Sequence, residues 1–302
     1  MTRRFDLVVL GDVNPDLILS APDLRVEFGQ SETLATGAEL LLGGSSSIVA
    51  CVAASLGLRV AFAGLVGGDA NGTMCREVLR DHGVDVDALV VDPDLATGLT
   101  VILQRDGDRA IVTHPGTIAA LARRHLGAAP LAATRHLHVG SYFLLDGLRP
   151  ELPAIFDAVH AAGGTTSLDT NDDPAGTWQA GDVLGRCDVL LPNDREAIAL
   201  AGVDDLDEAA AMLAKAAGEV AVTLGGAGAL AVRGPQVVRA AAFAIPPAEV
   251  VDAVGAGDNF DAGFLAAMLH GADLAACLAA GVEQAARSLR GRGGIGALGV
   301  TA

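Results

Sequence analysis

The sequence predicts an α/β fold of three layers, a doubly wound, mostly parallel sheet with helices on both faces and a small second β-sheet at one edge. Three observations predict it. Short continuous runs of Val, Leu and Ala alternate with Ala-rich helical segments along most of the 302 residues, and such unbroken apolar strands are buried on both faces. Hydrophobic residues make up 51% of the chain but aromatics only 3%, beside 38 glycines; this favours closely packed helices and tight turns. Two groups of shorter, partly polar β patterns, near 13–41 and 95–115, break the alternation and are assigned to the small sheet. No repeat, low-complexity stretch or linker divides the chain, so one domain over 1–302 is expected, with the small sheet inserted at about 13–41 and 95–115.

The elements follow in order. Phe5 to Leu10 reads as a buried strand ended by Gly11, and Leu17 to Ser20 and Thr33 to Leu41 carry the first partly polar patterns. A helix runs from near Ser46 to Gly57, a strand over Val60–Leu65, and a helix over Asn71–His82 closed by Gly83. Thr97–Gln104 and Arg109–Thr113 flank Arg105-Asp-Gly-Asp108, and Asp-Gly is a strong hairpin signal. Regular alternation then begins. Strands are expected at His136–Val139, Thr165–Leu168, Asp188–Leu191 and Val220–Leu224, and helices at Pro150–Ala162, Asp194–Ala201 and Asp207–Ala217. A second hairpin joins Ala229–Val232 to Gln236–Arg239 around Gly234-Pro235, and two helices, about Asp258–His270 and Asp273–Arg290, close the chain.

Charge narrows the function. Twenty Lys and Arg face 37 Asp and Glu, a net charge of −17. A field of that sign repels phosphate backbones and anionic lipid, which excludes a nucleic-acid-coating or polybasic membrane role. A local anion pocket built from backbone N–H groups remains compatible with it. Cys51, Cys75, Cys187 and Cys277 have no metal-ligand or redox spacing and read as buried or free thiols of a reducing cytosol. The apolar run Leu7–Leu10 is too short for a signal peptide. Residues Leu40 to Leu58 lack charge, but Gly43-Gly44-Ser45-Ser46-Ser47 splits them, so a loop and a short buried helix are expected rather than a span. A cytoplasmic location follows.

The most informative stretch is Val250-Val-Asp-Ala-Val-Gly-Ala-Gly-Asp-Asn-Phe-Asp-Ala-Gly-Phe264. Small residues at Gly255, Ala256 and Gly257 let successive N–H groups point into one concavity, and a helix N-terminus adds partial positive charge. That suits the charge that develops on a transferred phosphoryl group. Asp258 stands at the lip, where a carboxylate can accept a hydroxyl proton; the structural alternative is an Asp N-cap after a Gly turn. At the end of the first strand, Asn14 and Asp16 can hydrogen-bond vicinal hydroxyls or simply serve turn chemistry around Pro15.

Asp252-Ala-Val-Gly-Ala-Gly-Asp258 with Gly263-Phe264 resembles the C-terminal signature of the ribokinase-like (PfkB) carbohydrate kinases. Gly43-Gly44 before a small-residue helix is similar to their N-terminal signature, and Gly11-Asp-Val-Asn-Pro-Asp16, Leu168-Asp-Thr-Asn171, Pro192-Asn-Asp-Arg-Glu196 and Val222-Thr-Leu-Gly-Gly-Ala-Gly228 fall in family order. Six weak matches in order over nearly the whole chain make a strong one. The resemblance implies an ATP-dependent kinase acting on a hydroxymethyl group of a sugar or sugar-like substrate. Asp258 would be the base, with the amides of Gly255, Ala256 and Gly257 holding the phosphoryl charge. Asn14, Asp16, Gly43 and Gly44 would bind substrate, and Asn193, Thr223, Gly225 and Gly228 would bind ATP. Asn193 and Glu196 match an N-x-x-E element suited to Mg2+ through water; a helix cap is the plain alternative. Arg195 within the element could contact phosphate or stand in solvent. Asp252 and the carbonyls around Val254 lie where relatives bind a monovalent cation such as K+. The small sheet would act as a lid, and such lids often pair two chains, which makes a homodimer the expected assembly.

Three departures shape the expectation. Ile48 stands where the family signature commonly has Asn, Gly140 follows the strand that ribokinases proper close with an acidic residue, and Ala253 replaces the usual Thr. The first two remove polar sugar contacts, which points away from ribose toward another polyol, a keto-sugar or a nucleoside. A nucleoside kinase of the same fold and a non-catalytic sugar or nucleoside sensor are the alternatives. His136 and His138 share a strand face, where packing or hydrogen bonding outweighs metal ligation. Gly11-Asp-Val-Asn-Pro-Asp16 lacks the glycines of a dinucleotide fingerprint, Thr223-Leu-Gly-Gly-Ala-Gly228 opens no long helix and has no Lys-Ser/Thr for a P-loop, and no G-x-S-x-G elbow occurs.

Overall fold

The computed structural model describes residues 4–105, 108–127, 131 and 134–298. Along the chain the elements are β1 (Phe5–Leu10), β2 (Asn14–Ser20), β3 (Gly37–Gly43), α1 (Ser45–Ser55), β4 (Val60–Gly67), α2 (Ala70–Asp81) and β5 (Asp85–Asp92). Next come β6 (Leu99–Arg105), β7 (Asp108–His114), the short α3 (Thr117–Ala120), β8 (Thr134–Val139), α4 (Leu152–Ala161), β9 (Thr165–Leu168), β10 (Val189–Leu190), α5 (Asp194–Ala201) and α6 (Leu206–Ala217). The chain ends with β11 (Glu219–Thr223), β12 (Ala229–Arg233), β13 (Gln236–Ala240), α7 (Ala256–Leu269) and α8 (Leu274–Ser288).

Nine strands form the main sheet in the order β13-β12-β11-β10-β9-β8-β1-β4-β5. β5 through β11 pair in parallel, and the β12–β13 hairpin adds antiparallel at one edge. Two-residue periodicity divides the core. In β1, Val8 and Leu10 face the layer that includes α4 and α6, whereas Leu7 and Val9 face α1 and α2. α7 and α8 complete that second layer around Phe260, Phe264 and Leu278. β2, β3, β6 and β7 make a separate sheet in the order β3-β2-β6-β7. The three layers and the small extra sheet are those read from the sequence.

Differences are local. β5 is a strand to which no element was assigned from the sequence: it carries Asp85, Asp87 and Asp92, pairs with β4 only, and at this sheet edge leaves Asp87 exposed. β3 begins at Gly37, not Thr33, because its partner β2 ends at Ser20, which pairs Gly37. The Asp-Gly turn between β6 and β7 falls on Asp106 and Gly107, outside the described residues, although its flanking strands pair antiparallel. Helix α7 starts two residues before Asp258, with Gly255 as N-cap at φ 75°. Asp258 is therefore a first-turn residue, not the cap that a Gly turn before an Asp suggests.

All four cysteines are buried and free, and burial pushes the Cys51 and Cys75 thiols up to about 12. The uncharged stretch resolves into β3, a break at Gly44 and α1; among the described residues no helix is long and apolar enough to cross a membrane. Phe260 and Phe264 stack 6.0 Å apart on α7, and both rings are fully buried. Phe264→Ala is expected to cost about 3–5 kcal/mol by loss of transfer energy and the cavity left behind, read as a lower midpoint in urea unfolding at unchanged slope.

Candidate active site

Chain order reverses at β1: it proceeds outward through β4 and β5, then returns to β8 on the other side of β1. Open α/β sheets bind ligands outside the carboxyl ends of their strands at such a switch. Helix α1 seats its first turn directly over this point. A Cβ on Gly11 would lie 2.2 Å from Ser46 Oγ, and one on Gly140 would lie 2.8 Å from it. α1 thus fills the space that a side chain at Gly140 would need. Asp12 follows β1 and caps α1 from outside the helix. Its Oδ2 accepts from the Ser45 N–H and its Oδ1 from the Ser46 N–H, each at 2.9 Å.

The carboxylate of Asp258 faces this helix start. Its Oδ1 accepts a 2.6 Å bond from Ser45 Oγ. Burial pushes the Asp258 carboxyl up to about 6; the Ser45 hydroxyl opposes the rise, Asp12 adds to it and Arg109 lowers it. Asp16 is driven further, to about 7, by burial and by the charges of Asp12 and Asp258 against the Asn14 amide. Asn14 Nδ2 donates to Asp16 Oδ1 at 3.2 Å and to Thr100 Oγ1 at 3.1 Å. A Cβ on Gly43 would sit 2.0 Å from the Asp16 carboxyl carbon, so the glycine makes room for that carboxylate. Behind Asp258, Asp169 and Asp261 are both held well above the usual carboxylate range, mainly by burial and then by neighbouring carboxylates.

Two clefts meet at the segment 253–258. One, of about 610 Å³, is lined by Asn14, Asp16, Gly44, Val254, Gly255 and Asp258 among others, with Ile48, Ile102, Ile111, Ile118 and Leu144 as an apolar wall. The other, of about 400 Å³, is lined by Thr223, Gly225, Gly228, Ala256 and Gly257 with Phe243, Phe260 and apolar residues of α8. The five residues 253–257 and Asp258 thus separate a polar-and-apolar cleft from a glycine-rich, apolar one. Gly43 lies behind Asp16 and lines neither.

Other residues singled out in the sequence stand as follows. Asn193 and Glu196 form a capping box at the start of α5. Asn193 Oδ1 accepts from the Glu196 N–H at 2.9 Å and Glu196 Oε2 from the Asn193 N–H at 3.0 Å, while Asn193 Nδ2 donates to Glu196 Oε1 at 2.6 Å. Neither lines a cleft, but a β-bridge sets Asn193 beside Thr223. Arg195 points to solvent, paired with Asp172 at 2.6 Å. Asp252 is buried and ties two loops together, accepting from the Val254 N–H at 3.1 Å and the Gly293 N–H at 3.0 Å. His136 and His138 do share a face, where both bond the Ser167 hydroxyl and His136 also bonds Thr165. Burial lowers both imidazoles to about 3, so they are neutral packing partners.

Asp12, Ser45 and Arg109 were not recognised as site residues. Asp12 lies inside a segment singled out for its neighbours, and its capping partners are more than 30 residues away. Ser45 directly follows Gly43-Gly44, and a hydroxyl just after that pair was the available signal. Arg109 has no local signal, because only the pairing of β7 with β6 brings it over the cleft.

Comparison with known proteins agrees with this geometry. The model of the pfkB family carbohydrate kinases matches residues 4–298. A ribokinase of Arabidopsis thaliana is 30% identical over 306 residues, covering 96% of this chain and 77% of its own. A nucleoside kinase of Methanothermobacter thermautotrophicus is 27% identical over 283 residues, covering 92% of this chain and 87% of its own. The structure of Arabidopsis thaliana ribokinase complexed with ribose and ATP matches with a TM-score of 0.84 at 26% identity, covering 98% of this chain and 96% of that one. A match that runs through nearly every element, on a fold shared this closely, leaves one conclusion: the chain belongs to the PfkB family of carbohydrate kinases.

Proposed function

We propose that this sugar or nucleoside kinase uses ATP to phosphorylate a hydroxymethyl group of a sugar-like acceptor. One observation carries the reading: Asp258 lines one cleft while Ala256 and Gly257, in the same first turn of α7, line the other. An acceptor beside Asp16 and a nucleotide beside Thr223 and Gly225 would meet there. The acceptor hydroxyl gives its proton to Asp258, its oxygen bonds the γ-phosphorus, and the bond to the ADP oxygen breaks. Amides at the start of α7 hold the charge on the phosphoryl oxygens. A weakly basic carboxylate suffices because proton loss is late in a loose transition state. The small sheet supplies Asn14, Asp16, Thr100, Ile102, Arg109 and Ile111 to the acceptor cleft, so its closure over substrate would exclude water.

Magnesium fits the Asn193–Glu196 pair only through water. Both Glu196 oxygens already accept a bond from Asn193, and each keeps one acceptor position. When bound, the ion would neutralise phosphate charge. Asp252 accepts a backbone amide at each oxygen, which accounts for its burial without a cation.

The apolar wall of Ile48, Ile102, Ile111, Ile118 and Leu144 favours a second acceptor class, a nucleoside whose base would lie on that wall. A sensor without catalysis is disfavoured by the placement of Asp258 in an open cleft. β7 exposes Ile111 and Val112 at the free edge of the small sheet, and pairing of two chains there belongs to the same proposal.

Incubation with ATP, magnesium and a panel of pentoses, keto-sugars, hexoses and nucleosides is expected to release ADP with at least one acceptor. Binding without ADP release for every ligand bound would establish the sensor instead. Asp258→Asn is expected to lower kcat by about 10²–10⁴-fold, with the KM for ATP little changed. Because the ionised carboxylate is the active form, kcat/KM should climb with pH through about 6 and level off above 7. Asp16→Asn should weaken acceptor binding yet stabilise the fold at alkaline pH. Its folded value of about 7 lies above the ordinary 3.8, so the carboxyl is tolerated below about pH 4 and its ionisation costs stability as pH rises through 7. Thermal unfolding should show a gain on the order of 4 kcal/mol at pH 8 and almost none at pH 4. In gel filtration the protein should elute near twice its 30.4 kDa chain mass; elution as a single chain would dismiss the edge pairing.

A further inference from the structure

We propose that Ser45 is a positioning residue for Asp258: its hydroxyl anchors one carboxylate oxygen and leaves the other to take the acceptor's proton. The role rests on the kinase reading, but the geometry stands without it. Ser45 Oγ donates to Asp258 Oδ1 at 2.6 Å across 213 residues of sequence. The other oxygen, Oδ2, lies on the Gly255 side, 3.5 Å from where a Cβ on that glycine would sit, and Gly255 lines the acceptor cleft.

The serine is itself fixed. Its N–H donates to Asp12 Oδ2, the next N–H donates to Asp12 Oδ1, and Gly44 before it is the N-cap of α1 at φ 85°. Both Ser45 and Asp258 are buried. Charged groups from several elements couple to Asp258: Asp12 after β1 and Arg109 on β7 act on it, and it in turn raises Asp16 on β2, Asp169 after β9 and Asp261 on α7. Four of these five are acids, so the Ser45 hydroxyl is a short, neutral donor that favours the ionised base amid carboxylates that oppose it.

The test uses the full chain without ligand. Aspartate labelled with ¹³C at the side-chain carboxyl is titrated by NMR in the wild type, Ser45→Ala and Ser45→Thr, with Asp258→Asn identifying the resonance. Ser45→Ala should move the Asp258 midpoint upward from about 6 by about one pH unit, the effect of losing one hydrogen bond to a charged group. Ser45→Thr should restore it. Ser45→Gly removes the same hydroxyl and repeats the measurement if Ala disturbs folding. An unmoved midpoint in Ser45→Ala and Ser45→Gly, or an equal shift in Ser45→Thr, overturns the proposal. This readout stays valid even if no acceptor releases ADP, which separates it from failure of the kinase reading. With an acceptor in hand, Ser45→Ala should also lower kcat on the order of tenfold, leave the KM for ATP in place and move the acid limb by the same amount.

Discussion

The carboxylate of Asp12 is the reference point of the site. It emerges where β1 ends and takes the first two amides of α1, groups that no residue inside the helix can satisfy. A buried helix start needs such a partner, and a negative charge there also complements the helix dipole. From this one contact the rest follows. Holding α1 so low leaves no room for side chains at Gly11 or Gly140. It also puts the Ser45 hydroxyl against Asp258 and Ile48 against Gly255 and Gly294. The N-terminal glycine pair and the C-terminal signature are thereby made one structure.

The same region gathers carboxylates against their natural tendency. Asp12, Asp16, Asp169, Asp258 and Asp261 are all buried, and Arg109 is the cation that acts on Asp258. Burial lifts Asp16, Asp169, Asp258 and Asp261 toward neutrality, which costs stability at neutral pH and is the pattern expected where function, not packing, selects the residues. In the proposed reading, an anionic nucleotide approaching a chain of charge −17 would meet this acidity from the far side of the 253–258 segment. There the lining is Thr223, glycine, alanine and apolar side chains, and the attraction would come from backbone amides. Separating the two clefts in this way would keep the proposed base and the phosphates close, with only the helix start between them.

Much of this was legible from order alone. The continuous apolar strands, the six motif segments and the role of Gly255 to Gly257 as a helix-opening turn are properties of neighbours in sequence. Asp16, Asn14, Gly44, Thr223, Gly225, Gly228 and Asp258, all singled out there, line one cleft or the other. Glu196 and Asn193 instead complete a capping box, as the spacing of the two residues allowed. β5 escaped notice because an edge strand tolerates acids that a central strand does not, and being at an edge is not a local property.

The amino-acid order by itself determined the three-layer architecture and the small second sheet, because periodicity and turn chemistry act over a few residues and need no partner, and its ordered motifs carried the resemblance to the family. Only tertiary structure decided which chemical groups face each other: Ser45 with Asp258, Asp12 with α1, Arg109 over the acceptor cleft, and Ile48 in its wall. Those pairings join segments up to 213 residues apart. Their energies depend on burial and on distances of a few ångströms, quantities that exist only once the sheet has brought the strand ends together.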